Sequence, residues 1–278
     1  MNNNKIESYN KPILFFGLSL LIPWILWFSA AYISHMQTGN NLLFVLQGAL
    51  AIAGLLSPVF VAAYLFFNDK GLYDDLKTRI YNRKRAGIIY TVLAFSLIFL
   101  SMVVAQLISI LFGHSIEQFY ISGSPGFTSA VFSPWFILVF APIAEELAWH
   151  SYGTDTLRRR FNLFHTSIIF SVYWVFWHFP LSFINGYYHS NLVAEGWLYS
   201  LNFIFSLFVF VIIMNWLYYK TNRNILITVV FHCSANVSNE IFATHPDSKV
   251  IQTVLLLFFA VFIMFKDKNL FFKREYYE

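Results

Sequence analysis

The sequence predicts an all-α, polytopic membrane protein: a bundle of about eight transmembrane helices that forms a single transmembrane domain over residues 1–278. Three observations predict this class. Hydrophobic residues make up 58% of the chain and charged residues only 12%, which is more apolar surface than a water-soluble domain needs. Eight apolar segments approach the roughly 20 residues that span a ~30 Å hydrocarbon core. Almost all basic residues lie in the connections between alternate segments.

The eight segments follow one another with short polar connections. The first has no charged residue, so it is too long for the apolar core of a signal peptide, about 7–15 residues. We expect it to remain as a spanning helix. The predicted segments are 12–33, 42–67, 86–112, 134–157, 165–183, 197–218, 225–241 and 250–265.

The basic residues test this count and set the orientation. If the N-terminus is cytoplasmic, every Lys and Arg except Lys249 falls on the cytoplasmic side. One span missed or added mid-chain would destroy that asymmetry, so it predicts eight helices with both termini cytoplasmic. The richness in Asn, Ile, Lys, Phe and Tyr is typical of an AT-rich bacterial genome. We therefore expect a multi-pass protein of a bacterial plasma membrane.

The net charge of +4 does not indicate a nucleic-acid partner, because the basic residues lie where membrane topology places them. The lipid bilayer is the expected partner. The single cysteine, Cys233, excludes an internal disulfide, and we interpret it as a small buried apolar residue.

The connection at residues 71–87 spaces Leu72, Tyr73, Leu76 and Ile80 at helical intervals, with charged residues between them. This pattern predicts a short helix on the inner leaflet, attracted by anionic lipid. An ordinary charged loop explains the same composition.

Ionisable side chains inside the apolar segments are few. Such groups cost several kcal/mol in lipid and mark a function or an internal polar partner. Together with one nearby amide they are Glu145, Glu146, His150, His178, His232 and Asn236.

Glu145 and Glu146 are adjacent, so on a helix their side chains point about 100° apart and need different partners. Glu146 lies four residues before His150, a spacing that allows a hydrogen bond between carboxylate and imidazole. Glu145 is then left to point into the bundle.

The remaining polar groups come from two later segments. His178 follows Trp174 by four residues, and His232 and Asn236 are also four apart and share one helical face. With Glu145, the sequence offers a carboxylate, two imidazoles and an amide from three helices. This set suits hydrolysis by an activated water, with a carboxylate or imidazole as base and N–H groups as donors to an oxyanion. Taken singly, a histidine or Asn236 is equally explained by helix–helix hydrogen bonding.

These stretches together resemble the CAAX protease and bacteriocin-processing family, which comprises the type II CAAX prenyl endopeptidases and their prokaryotic Abi relatives. The resemblance covers residues 134–239. The family's first motif, Glu-Glu-x-x-x-Arg, is matched by "EELAWHSYG", in which His150 stands at the position of the arginine. The second, Phe-x-x-x-His, is matched by "WVFWH", with Trp174 in place of Phe, and the third by "HCSAN".

The resemblance implies an intramembrane endopeptidase with Glu145, Glu146, His178, His232 and Asn236 as its catalytic residues, supported by His150 and Trp174. Glu145 and His178 would activate water, and His232 and Asn236 would stabilise the oxyanion. Members have been described both as metalloproteases and as glutamate-dependent proteases. The cofactor therefore stays open, with zinc on Glu145, His178 and His232 as the metal alternative.

The expected partner is a peptide or membrane-protein substrate, membrane-associated or of the leader type. Because an imidazole replaces the motif's guanidinium, a second hypothesis is a non-catalytic membrane binding protein that keeps the fold, such as a bacteriocin self-immunity factor. A third is a proton-coupled transporter, since membrane carboxylates and histidines also form relays. The absence of an internal repeat in the sequence counts against it.

Overall fold

A computed structural model describes most of the chain. The described residues are 7–36, 41–81, 87–129 and 131–274. Within them the regular structure is helical apart from one isolated bridge between Ile121 and Phe242, so the predicted all-α class is confirmed. Some residues used in the sequence argument lie outside the described ranges: Lys5, Arg83, Lys84, Arg85 and Ala86.

The helices of the described residues correspond to the predicted segments, with short helices between them. They are α1 (Pro12–Ser34), α2 (Asn41–Phe67), α3 (Lys70–Tyr81), α4 (Ile88–Ile110), α5 (Pro134–Ala148), α6 (Thr154–Arg158), α7 (Leu163–His178), α8 (Tyr188–Glu195), α9 (Trp197–Lys220), α10 (Ile225–Glu240), α11 (Pro246–Lys266) and α12 (Lys268–Phe272). A π-helical turn, Trp149–Gly153, joins α5 to α6, and 3₁₀ turns occupy Ile116–Phe119 and Phe179–Phe183.

Among the described residues, five helices are long and apolar enough to cross a membrane: α1, α2, α4, α9 and α11. The pair Leu163–Phe183 and Tyr188–Glu195, bent by 86°, makes a sixth if it is one span. The segments predicted at 134–157 and 225–241 are helical, but α5 has 15 residues before the π turn and α10 has 16. The predicted count of eight is therefore approximate, because polar and π-helical stretches shorten two of the expected spans.

The helix predicted in the connection after α2 is present as α3. One side of it packs into the protein, where Leu72, Asp75 and Arg79 are buried. An ordinary loop is thus excluded, whereas attachment to anionic lipid stays a prediction.

Close packing of α1 on α2 depends on one glycine. A Cβ on Gly54 would lie 2.3 Å from Nε1 of Trp27, so no larger residue fits without moving the indole. Trp27 donates from this nitrogen to the carbonyl of Ala51 at 2.9 Å. In the rest of the bundle α5 packs against α2 and α10, α7 against α9, and α9 against α10. This arrangement brings α5, α7 and α10, the three helices with the predicted site residues, around one interior space.

Candidate active site

A cavity of about 280 Å³ lies inside the bundle. Four of the predicted site residues line it: Glu145 from α5, His178 from α7, and His232 and Asn236 from α10. Trp174 lines it as well. The structure therefore brings a carboxylate, two imidazoles and an amide to one cavity between the helices.

Glu145 and Glu146 have different partners. Oε2 of Glu145 accepts a hydrogen bond of 3.1 Å from the indole Nε1 of Trp174. Glu146 is fully buried behind the cavity wall, and its Oε1 lies 2.8 Å from Nδ1 of His232. Its Oε2 forms a short hydrogen bond with Nδ1 of His150. The predicted contact between Glu146 and His150 is thus present, and Glu146 also bridges to α10.

His150 is fully buried. Its Nε2 lies 2.9 Å from Oδ1 of Asn215, whose own amide donates to the Ser167 hydroxyl at 2.9 Å. Both ring nitrogens therefore face oxygen acceptors. His150 thus keeps one contact with Glu146 and makes a second with Asn215, whereas a guanidinium can fork across a single carboxylate.

His150 lies in the π-helical turn. Such turns widen a helix by one residue and free backbone carbonyls for other donors. The carbonyl of His150 accepts from Nη1 of Arg79 at 3.1 Å and from the Tyr218 hydroxyl at 2.8 Å. The carbonyl of Ser151 accepts from Nη2 of Arg79 at 2.8 Å. Arg79 thereby fixes the turn that carries His150.

His178 is the last residue of α7, where Pro180 enforces a change to a 3₁₀ turn. Its Nδ1 lies 2.8 Å from the carbonyl oxygen of Trp174. Because a carbonyl only accepts, Nδ1 carries the hydrogen, and the Nε2 of a neutral ring is left with its lone pair. This is the tautomer that a general base requires.

The hydrogen bond that holds His232 is shorter than the one that holds Asn236. The bond from Nδ1 of His232 to Glu146 fixes its ring, whose edge also faces the Trp174 ring at a centroid distance of 5.4 Å. The amide of Asn236 donates to the carbonyl of Leu138 at 3.4 Å, longer than an ordinary N–H···O bond. The Asn236 amide is thus available for a stronger acceptor.

Sequence analysis missed His189. Its ring stacks on that of His178 with centroids 5.0 Å apart, and it lines the same cavity. The side chain is buried, and neither ring nitrogen has a hydrogen-bond partner among the described residues. Unpaired buried polar atoms point to water or a ligand. His189 was not predicted because it lies in α8, between two of the predicted apolar segments.

A buried ion cluster was also missed, since its arginines were counted as cytoplasmic loop charges. The cluster consists of Asp75, Arg79, Asp155 and Arg223. Nη2 of Arg223 lies 2.8 Å from Asp75 and 2.6 Å from Asp155, and Nη1 of Arg79 lies 3.0 Å from Asp155. Burial opposes ionisation of Asp75, but Arg79 and Arg223 outweigh it and hold the pKa of this carboxyl below its usual 3.8. Two cations and two anions leave the cluster neutral.

Cys233, expected to be buried, is half-buried, with its sulfur 3.6 Å from the carbonyl of Val139.

The metal alternative has the right chemistry, since two imidazoles and a carboxylate form a catalytic zinc set. The spacing is wider than a metal needs. Among the described residues, the one group of three ligand atoms within 4.8 Å of one another belongs to His114, His245 and Asp247, and not to Glu145, His178 and His232. These three residues do not fit a metal in this arrangement.

The fold and cavity define a class: a polytopic helical membrane protein with a carboxylate and imidazoles lining one cavity among its helices. A family model described as Type II CAAX prenyl endopeptidase Rce1-like matches residues 127–238. The chain is 33% identical over 272 residues to a Methanococcus maripaludis protein named CAAX prenyl protease 2, covering 97% of this chain and 99% of that protein. The chain belongs to the type II CAAX prenyl endopeptidase family, and the resemblance read from its motifs is confirmed. Membership indicates an intramembrane endopeptidase.

Proposed function

We propose that this protein hydrolyses a peptide bond of a membrane-associated or leader-type peptide by water that Glu145 and His178 activate. The observation that carries the proposal is the convergence of Glu145, His178, His232 and Asn236 on one cavity from three helices.

In the first step, a water in the cavity loses a proton as its oxygen attacks the scissile carbonyl carbon. The carboxylate of Glu145, oriented by Trp174, accepts that proton. His178 accepts the second hydrogen of the same water in a hydrogen bond at Nε2, which is the nitrogen opposite its bond to the Trp174 carbonyl. Placing the two acceptors on one water aligns its oxygen lone pair for attack.

In the second step, negative charge develops on the former carbonyl oxygen. The amide of Asn236 donates to it, and Nε2 of His232 donates when the ring carries both protons. Glu146 balances that positive charge through its 2.8 Å contact with Nδ1. The intermediate then collapses, the C–N bond breaks, and the departing amine takes the proton that Glu145 holds.

The cavity wall favours a substrate that is both apolar and peptidic. Apolar residues such as Trp27 and Leu55 line one part, whereas Glu195, Glu240 and Lys249 line another. The name of the Methanococcus maripaludis relative refers to a prenylated C-terminal motif, which is one kind of membrane-associated peptide. We propose a peptide anchored in the bilayer by a lipid or an apolar segment as the substrate class.

The binding-protein hypothesis rested on His150 in place of the motif arginine. His150 keeps the pairing with Glu146 and is itself held by Asn215, and these two contacts support a retained reaction. The immunity role and the transporter role stay predictions of the sequence.

The decisive experiment uses the full chain in liposomes with two peptide sets, one prenylated at a C-terminal cysteine and one carrying an unmodified apolar leader. Cleavage is followed by mass spectrometry. Glu145→Gln and His178→Ala should each lower kcat by about 10²-fold or more, the usual contribution of a general base. Glu117→Gln, the same change at an exposed site outside the cavity, should leave kcat unchanged.

Full cleavage by folded Glu145→Gln protein would overturn the proposed chemistry. Binding of either peptide set by the wild-type protein without any cleavage would favour the binding-protein hypothesis instead.

A further inference from the structure

A group of metal-ligating side chains lies outside the cavity, at the end of the bundle where α4 ends and α11 begins. It consists of His114, in the connection after α4, with His245 and Asp247 at the start of α11. Nε2 of His114 lies 3.1 Å from Oδ2 of Asp247, and Nδ1 of His245 lies 3.6 Å from the same oxygen. The two imidazole rings lie 4.1 Å apart between centroids.

These separations fit the ligands of a single ion. Zinc ligands at 2.0–2.1 Å in tetrahedral geometry lie roughly 3.3 Å from one another, midway between the two observed distances. All three ligand atoms fall within 4.8 Å of one another, and each side chain is partly exposed, so an ion reaches them from solvent.

Two further contacts set the chemical state of the ligands. The backbone N–H of Asp247 donates to Nδ1 of His245 at 3.2 Å, so this nitrogen carries no proton, and a bound ion would take the place of that N–H as the partner of its lone pair. The Tyr199 hydroxyl donates to Oδ1 of Asp247 at 2.9 Å, which orients the carboxylate in the way outer hydrogen bonds orient metal ligands.

We propose that His114, His245 and Asp247 bind one divalent transition-metal ion of the zinc type, with water completing the coordination. The ion cross-links the connection after α4 to the first turn of α11. Tyr199 lines the cavity and bonds to Asp247, so the ion is connected to the cavity wall through one hydrogen bond. The site is separate from Glu145, His178 and His232 and does not depend on the proposed reaction.

The test titrates Zn²⁺ into the purified full chain, free of any polyhistidine tag, by calorimetry, and uses Co²⁺ absorption to report the ligand field. Wild-type protein should bind one ion per chain. His114→Ala should weaken binding at least tenfold, since it removes a ligand without touching the cap of α11. His165→Ala, which removes an exposed histidine elsewhere, should bind as wild type does.

The double variant Glu145→Gln/His178→Ala should retain the ion, which separates this site from the cavity. A thermal scan confirms that each variant is folded. The proposal is overturned if wild-type protein binds no Zn²⁺, if binding survives both His114→Ala and Asp247→Asn, or if only the double variant loses it.

Discussion

At the scale of single residues, Trp174 is the clearest case of a side chain that positions a proposed catalytic group. It gives Glu145 a hydrogen bond from its indole and accepts one from His178 at its backbone carbonyl. Only the first of these contacts depends on the side chain. Because the family motif has Phe at this position, Trp174→Phe is a variant that keeps an aromatic ring and removes the donor.

We expect Trp174→Phe to lower kcat about tenfold and to change KM little. A hydrogen bond to a charged group contributes about 1.5–3 kcal/mol, and this one orients the carboxylate rather than the substrate. Steady-state kinetics on the liposome-embedded chain measures the effects on kcat and on KM separately. Trp24→Phe is the control, since it removes an indole bond to the carbonyl of Phe176 away from the cavity. An unchanged kcat in the folded variant would contradict this role for Trp174.

The sequence predicts part of which residues meet, and little of how each is held. Helical spacing predicts the contact between Glu146 and His150 because both lie on one helix. The contact of Glu146 with His232 joins α5 to α10, and the unpaired ring of His189 comes from a helix outside the apolar segments. Both features depend on packing between different helices. Residue spacing within one helix cannot predict them.

At the scale of elements, α3 and the π-helical turn are coupled by the buried ion cluster. Arg79 bonds to Asp155 and also to the carbonyls of His150 and Ser151, so the cluster fixes the turn. Local sequence gives no sign of this, because an arginine near a span end has the same pattern whether it faces water or a buried aspartate. The same limit explains why the π turn was not predicted: its register is set by partners distant in the chain.

Asp75→Asn should lower the free energy of unfolding by about 3–5 kcal/mol, because it leaves a net positive charge buried in the cluster. The pH dependence should change as well. The depressed pKa of Asp75 means that its stabilisation is complete above pH 3.8 and is lost as the pH falls further, through the folded pKa. Thermal unfolding in detergent from pH 7 to pH 3 measures both effects.

Asp74→Asn is the matched control, because Asp74 is the exposed neighbour on the same helix. Its unfolding temperature should follow that of wild-type protein across the pH range. Equal stability of Asp75→Asn and Asp74→Asn would mean that the cluster does not stabilise the fold.

At the scale of the whole molecule, the distribution of charge predicts an orientation in the membrane, and burial of individual arginines does not change that prediction. Arg79, Arg158 and Arg223 are buried in the protein, yet they lie at the same end of the bundle as the exposed Lys268. The positive-inside rule counts the basic residues on each side of the membrane. It does not depend on whether those residues form ion pairs in the folded protein. The prediction of cytoplasmic termini therefore includes these buried arginines, and it stays a prediction.

Labelling of single cysteines tests that orientation. In a Cys233→Ala background, Glu117→Cys in the connection after α4 should react with a membrane-impermeant maleimide in intact cells, whereas Lys268→Cys should react only after the membrane is opened. Both positions are exposed, so a difference in labelling reports the side of the membrane and not burial. The opposite pattern would reverse the orientation.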